Sequence, residues 1–294
     1  MTVLLLRLAG PLQSWGSAAR FTRRTTENAP TKSGVIGLLA AAQGRRRDAD
    51  LTDLAALEFG VRIDQPGSRL RDFQTARHSD TLKAMPLSER FYLADAVFVA
   101  GVSGEAGLVQ RLYEALLEPV FLPYLGRRSC PPSQPVTITE PLDGELEQTL
   151  REAPWEASGW YRTRRDTSFR RQGQSPPAEV RLDLLLDSPS GPGRLPDITL
   201  RDLPVSFDPR HRRYGLRGVR TTEASVPTTV GTRTAQPPHE PTALLTPVTP
   251  TTSAMPVTPA TPVPPTTSAM PVTPVTPATP VPPAPPALPV TRTD

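Results

Sequence analysis

Residues 3–16 read Val3-Leu4-Leu5-Leu6-Arg7-Leu8-Ala9-Gly10-Pro11-Leu12-Gln13-Ser14-Trp15-Gly16. The run from Val3 to Leu8 is apolar at consecutive rather than alternate positions, which predicts a central strand covered on both faces. It leads directly into a turn governed by Gly10 and Pro11. A second segment has the same build: Pro123-Tyr124-Leu125-Gly126-Arg127-Arg128-Ser129-Cys130-Pro131. Each joins apolar residues to a Gly/Pro turn carrying polar and aromatic groups. Glycine lets backbone N–H groups approach a ligand closely, and paired arginines supply fixed donor forks suited to phosphate.

Working outward from the first strand, a basic loop precedes Thr31 or Ser33, either of which can cap a helix. That helix carries Val35, Ile36, Leu38, Leu39 and Ala40 to Ala42, and Gly44 closes it. Leu57 to Ile63 predicts a second strand. Residues 71–90 are polar, with apolar positions too scattered for a core element. Phe91 to Val99 returns to strand character, Leu108 to Leu117 has helical spacing up to Pro119, and a last strand is expected near Pro135 to Thr139. The order strand–helix–strand, strand–helix–strand fits a ferredoxin-like (RRM-like) α+β domain over residues 1–140. Residues 141–226 predict a small, mostly β lobe. Val180 to Leu186 is one strand and Arg217 to Arg220 a short second, while Pro176, Pro177, Pro189, Pro192 and Pro196 interrupt the rest. Trp155, Trp160 and Tyr161 are expected to complete its core.

Residues 227–294 hold 20 of the 38 prolines and a duplicated phrase, Thr251 to Pro259 recurring at Thr266 to Pro274. Proline removes a backbone donor, and the segment has too few large apolar side chains to offset the entropy of ordering. A disordered, polyproline-biased Pro/Thr-rich tail is expected. It reads as a docking tail, a glycosylated stalk or a repeat expansion without essential role.

The net charge of +4 is modest, but it is unevenly distributed. Residues 1–47 carry Arg7, Arg20, Arg23, Arg24, Lys32, Arg45, Arg46 and Arg47 against Glu27, and residues 209–220 carry five arginines without an acid. Segregated basic stretches suit a polyanion. Lys32 and Lys83 are the only lysines, so the arginine richness reflects a general substitution of arginine for lysine as much as any specialisation. The single cysteine, Cys130, excludes an intrachain disulfide and is expected to pack as a small buried residue. The apolar run at the amino terminus stops at Arg7, too early for a secretory signal, and no stretch approaches a membrane span. A cytoplasmic protein with no membrane association is expected.

The pattern for single-stranded RNA recognition is cations along the backbone, N–H contacts and planar groups that stack on splayed bases. Tyr124, Gly126, Arg127, Arg128 and Ser129 place a ring, two guanidinium planes and a hydroxyl within one loop. Arg20, Phe21, Arg23 and Arg24 add cations and a ring before the first helix. Lys32, Ser33 and Gly34 stand at that helix's amino terminus, a natural phosphate site. Taken alone, the loop could equally be a turn with surface charges. Catalytic patterns are thinner. His78 is the one histidine in a region expected to face a ligand. Asp48, Asp50 and Asp53 suggest either a cation site or the first turn of a short helix. No Walker loop, HExxH or paired Cys–His spacing is present, so no metal or cofactor is expected.

The two quoted segments resemble the CasD-type subunits of the type I-E CRISPR surveillance complex (Cascade), within the RAMP superfamily. The resemblance extends to Pro30–Ala41, Leu70–Thr75 and Arg90–Ala96, five segments in one order over residues 3 to about 135. It implies a ferredoxin-like domain with a protruding thumb hairpin at about residues 70–90. It also implies a non-catalytic subunit that holds the 5′ handle of the CRISPR RNA in antiviral defence and caps one end of the backbone. The thumb would reach the adjacent backbone subunit (CasC), and the body the large subunit (CasA). Carried over by residue, the handle site comprises Lys32, Ser33, Gly34, Tyr124, Gly126, Arg127, Arg128 and Ser129, with Arg71, Arg77 and Arg90 at the thumb facing RNA or the neighbouring subunit. The alternative is an endoribonuclease that processes repeat RNA, since a type I-C relative cleaves it. A protein defined by its proline-rich tail is a third reading.

Overall fold

Strand β1 (Thr2–Ala9) fulfils the both-faces reading. Leu4, Leu6 and Leu8 enter one buried cluster, and Val3 and Leu5 enter a second on the opposite face. The computed structural model describes residues 1–17, 22–188, 195–208 and 210–228. Arg20, Phe21 and the Pro/Thr-rich segment from 229 onward lie outside the described residues.

After β1 come the two-residue strands β2 (Leu12–Gln13) and β3 (Arg23–Arg24), helix α1 (Lys32–Ala42), the short helix α2 (Thr52–Ala55) and strand β4 (Glu58–Gln65). Thr31, not Ser33, caps α1, its hydroxyl accepting from the Gly34 N–H at 3.3 Å. Strands β5 (Ser68–Gln74) and β6 (Ser88–Ala94) follow, then β7 (Val97–Gly104) and helix α3 (Ala106–Leu117). Glu105 caps α3 by accepting from the Gly107 and Leu108 N–H groups, which holds its carboxyl below the usual range. Strand β8 (Leu142–Asp143), helices α4 (Leu146–Glu152) and α5 (Gly159–Arg171), and strands β9 (Glu179–Asp187), β10 (Ile198–Ser206) and β11 (Arg213–Pro227) complete the described chain.

The result is a mixed α+β structure built on a large antiparallel sheet. Its strand order is β10-β11-β9-β4-β7-β1-β8. Helices α1, α2 and α3 contribute the buried residues of one face. Leu146 and Leu150 of α4, with Trp155 and Ala157, cover the other.

Three expectations are corrected. The single strand at Phe91–Val99 is two, because Asp95, at φ 54°, carries the chain from a second, smaller sheet into the main one. That second sheet contains the polar stretch 71–90, which forms the hairpin β5–β6 with β2 and β3 along the other edge of β6. Its apolar residues looked scattered because most of the hairpin is solvent-facing. The separate lobe over 141–226 does not form either. Strand β9 pairs with the open edge of β4, so β9, β11 and β10 extend the main sheet, and all described residues belong to one compact unit. The alternation in β9 buries Val180, Leu182, Leu184 and Leu186 in the second cluster. Pairing continues to Pro227, and the Thr228 N–H still donates to the Ala178 carbonyl at 2.8 Å. The last expected strand is reduced to a bridge between Thr137 and Leu6 and the two residues of β8.

Candidate nucleic-acid interface

The loop at 123–131 is held against the Gly10–Gly16 segment by its backbone. The Ser14 N–H donates to the Leu125 carbonyl at 3.1 Å, and the Leu125 N–H to that of Cys130 at 2.7 Å. Leu125 and Cys130 are buried, and burial pushes the Cys130 thiol up, keeping it protonated and unreactive. Gly126 adopts φ +82°, and a Cβ there would lie 1.8 Å from the Ser14 carbonyl oxygen. Gly126→Ala therefore combines a left-handed backbone with a backbone clash. It should cost at least about 2 kcal/mol, measured by denaturant unfolding. Gly159→Ala, with nothing near its Cβ position, should stay within about 0.5 kcal/mol. Equal behaviour of the two variants would refute this account of the loop.

Cross-strand register sorts the side chains of the smaller sheet onto two faces. Arg71 pairs with Phe91, Phe73 with Glu89, and Arg23 with Glu89, so these five share one face. There the Arg71 guanidinium lies 4.6 Å from the Phe73 ring centre and that of Arg23 5.5 Å from Phe91. Glu89 accepts from Arg71 and lies 3.9 Å from Arg23, partly neutralising both.

The opposite face carries Arg24, Arg90 and Tyr92, with Leu70 opposite Tyr92 and Asp72 opposite Arg90, and is joined by Arg127 from the 123–131 loop. Arg127 stacks 4.6 Å over the Tyr92 ring and donates from Nη2 to the Arg24 carbonyl at 3.0 Å. Two donors there, Arg90 Nε and Arg127 Nη1, are buried and have no hydrogen-bond partner among the described residues. Such orphaned donors cost free energy. Tyr124 is half-buried, and Gly126, Arg128 and Ser129 are exposed on the same loop.

The helix terminus behaves otherwise. Lys32 and Ser33 are buried, Gly34 packs against the Trp15 ring, and the Lys32 N–H donates to Asp202 Oδ2 at 2.8 Å. The Lys32 ammonium lies 2.9 Å from Asp187 Oδ2. The terminus expected to take phosphate at Lys32, Ser33 and Gly34 instead meets the chain's own groups: Asp202 takes the Lys32 N–H, Asp187 its ammonium, and the Thr31 hydroxyl the Gly34 N–H. The basic stretch 209–220 is likewise partly internal, since Arg217 bonds Asp187 and Asp202, and Arg220 bonds Glu147.

Arg77 stands near the hairpin end, bridged through its backbone to Ala84. His78 Nδ1 accepts from the Asp80 and Thr81 N–H groups at 3.2 and 3.3 Å, so it organises a turn. Asp50, just before α2, accepts from the Thr52 N–H and hydroxyl, and Asp53 is bidentate to Arg45. The aspartates therefore have protein partners, in keeping with the helix-turn reading. Trp155 is buried and Tyr161 partly so, whereas Trp160 is exposed. Sequence reading missed α5 altogether: the helix buries no residue, so it has no apolar stripe to detect.

Residues 3–220 match the family described as CRISPR-associated protein (Cas_Cas5). The chain is 36% identical over 156 residues to the CRISPR system Cascade subunit CasD of Escherichia coli (strain K12), covering 46% of this chain and 69% of that protein. Among solved structures, a chain of a CRISPR RNA-guided surveillance complex superposes with a TM-score of 0.62 at 33% identity, over 77% of this chain and 91% of the other. A crystal structure of a Cas protein does so with a TM-score of 0.56 at 37% identity, over 76% and 95%.

Proposed function

Because the chain belongs to the Cas5 family of CRISPR-associated proteins, we propose that it is a non-catalytic RNA-binding subunit of a type I-E Cascade, acting in cytoplasmic antiviral defence. It holds the 5′ handle of the CRISPR RNA on the Arg24, Arg90, Tyr92 and Arg127 face, with Tyr124, Gly126, Arg128 and Ser129 along its rim. The observation that carries this site is the pair of buried donors, Arg90 Nε and Arg127 Nη1, without acceptors among the described residues. A phosphate or base oxygen supplies what they lack.

The order β1, α1, β4, β7, α3, β8, with strands arranged β4-β7-β1-β8, supports the ferredoxin-like reading of the core. The β5–β6 hairpin is the thumb. Its exposed Leu70, Phe73, Leu82, Met85 and Leu87 suit a protein neighbour, the backbone subunit CasC, while the body meets CasA.

The test is co-expression with the other subunits, purification and sequencing of the bound RNA. A shared 5′ repeat remnant is expected, and random RNA ends would overturn the reading. In the same preparation, Arg90→Ala with Arg128→Ala should make the slope of log affinity against log salt shallower by roughly 0.7 to 1.4. An unchanged slope would remove those residues from the interface. Cleavage of repeat RNA at one position, abolished by His78→Ala, would replace the binding role by the endoribonuclease one.

A further inference from the structure

Helix α5 carries Arg162, Arg164, Arg165, Arg170 and Arg171 against Asp166, as much net positive charge as the +4 of the entire chain. At 100° per residue its side chains separate into two faces. The inner face holds Tyr161, Arg162, Arg165 and Phe169. Arg162 and Arg165 stack on the Trp155 ring at 5.0 and 5.5 Å, and Arg162 donates to the Trp155 and Ala157 carbonyls. Asp166 lies 3.5 Å from Arg165 and belongs with this set.

The outer face is different. Trp160, Arg164 and Arg171 fall within 40° of one line along the helix, with Thr163, Thr167, Ser168 and Arg170 on its shoulders. Trp160 is 51% exposed, and among the described residues the Arg164, Arg170 and Arg171 side chains make no ion pair or hydrogen bond. The inner arginines are committed to the fold and the outer three are free of it. No acid lies on this outer face.

We propose that the outer face of α5 binds a single-stranded nucleic acid through its phosphates and one unpaired base, as a site separate from the one on the smaller sheet. Arginine forks and hydroxyls match phosphate oxygens. The exposed indole decides between single strand and duplex, because a duplex hides its base faces and offers the ring nothing to stack on. Charge complementarity excludes an acid-poor partner.

Trp15 and Trp155 are buried, so Trp160 is the tryptophan that a bound strand can reach. The experiment is titration of the full chain, carrying Arg128→Ala to weaken the other site, with oligo-dT, oligo-U and a duplex of equal length. Quenching of tryptophan fluorescence is the first readout. Single strands should quench, with DNA against RNA preference read from the two single-stranded arms. Arg164→Ala/Arg170→Ala/Arg171→Ala should flatten the salt slope by roughly 2 and leave the melting curve unchanged. The triple lysine variant should restore the slope. Trp160→Ala should weaken binding on the order of tenfold and abolish quenching. An alanine triple variant that binds with the parent's slope would overturn the proposal, and so would a duplex bound as tightly as single strands. Because the probes lack the repeat sequence, neither outcome bears on the handle site.

Discussion

Arg62→Ala is expected to lower the unfolding free energy by about 3–5 kcal/mol, a drop in Tm on the order of 10 °C. Arg62 and Asp64 are both completely buried on β4. The guanidinium donates twice to Asp64, at 2.7 and 2.9 Å, and to the carbonyls of Leu150, Ala153 and Pro154 at 2.6 to 2.7 Å. Burial pushes the Asp64 carboxyl upward and Arg62 opposes it, so alanine leaves only the push. Asp64 also accepts from the Glu156 N–H, and its carbonyl accepts from the Trp155 indole. The pair therefore anchors the segment on which α5 stacks, and α5 should lose hydrogen-exchange protection along with the global loss. Lysine at 62 keeps the charge without the fork and should recover only part of the stability. A Tm within 2 °C of the parent (about 0.5–1 kcal/mol) would show that the network contributes little.

Asp202→Ala should cost a similar amount, about 3–5 kcal/mol. Its carboxylate accepts from Arg217 Nε at 2.8 Å, Arg217 Nη2 at 2.7 Å and the Lys32 N–H at 2.8 Å. Without it, Arg217 stays buried with Asp187 alone and the first N–H of α1 loses its acceptor. The companion variant Lys32→Met separates two roles for that residue. A structural lysine gives reduced stability and unchanged RNA affinity in the folded fraction. A phosphate ligand gives the reverse, which would return Lys32 to the interface. Thermal melts and RNA titrations on one preparation decide between them.

Much of this architecture is visible in the chain itself. Consecutive apolar residues at Val3–Leu8 marked a strand covered on both sides, and Thr31, Val35, Ile36 and Leu39 marked the helix that covers one of them. The five family segments identified the relatives. Each of these rests on local chemistry: side-chain periodicity, a cap hydroxyl, a glycine at a turn.

The site was less legible. Lys32, Arg127, Arg128 and Arg217 are alike in sequence as cations beside turns or glycines, yet they have different fates. Lys32 and Arg217 neutralise Asp187 and Asp202, acids at least 155 and 15 residues away in the chain, respectively. Arg127 braces one sheet face, and Arg128 faces solvent. A cation's availability depends on whether a distant carboxylate reaches it first, and local pattern contains no such information. Distance along the chain likewise hid the true path of residues 179–227. Strand β9 joins the sheet because β4 presents an open edge, and α5 stands on Trp155 because Arg62 holds the preceding turn. Local sequence determined the central strand, the helix over it and the family the chain belongs to. Tertiary structure alone decided which charges the fold consumes and which it leaves exposed, because pairing between residues far apart in the chain follows from their meeting in space.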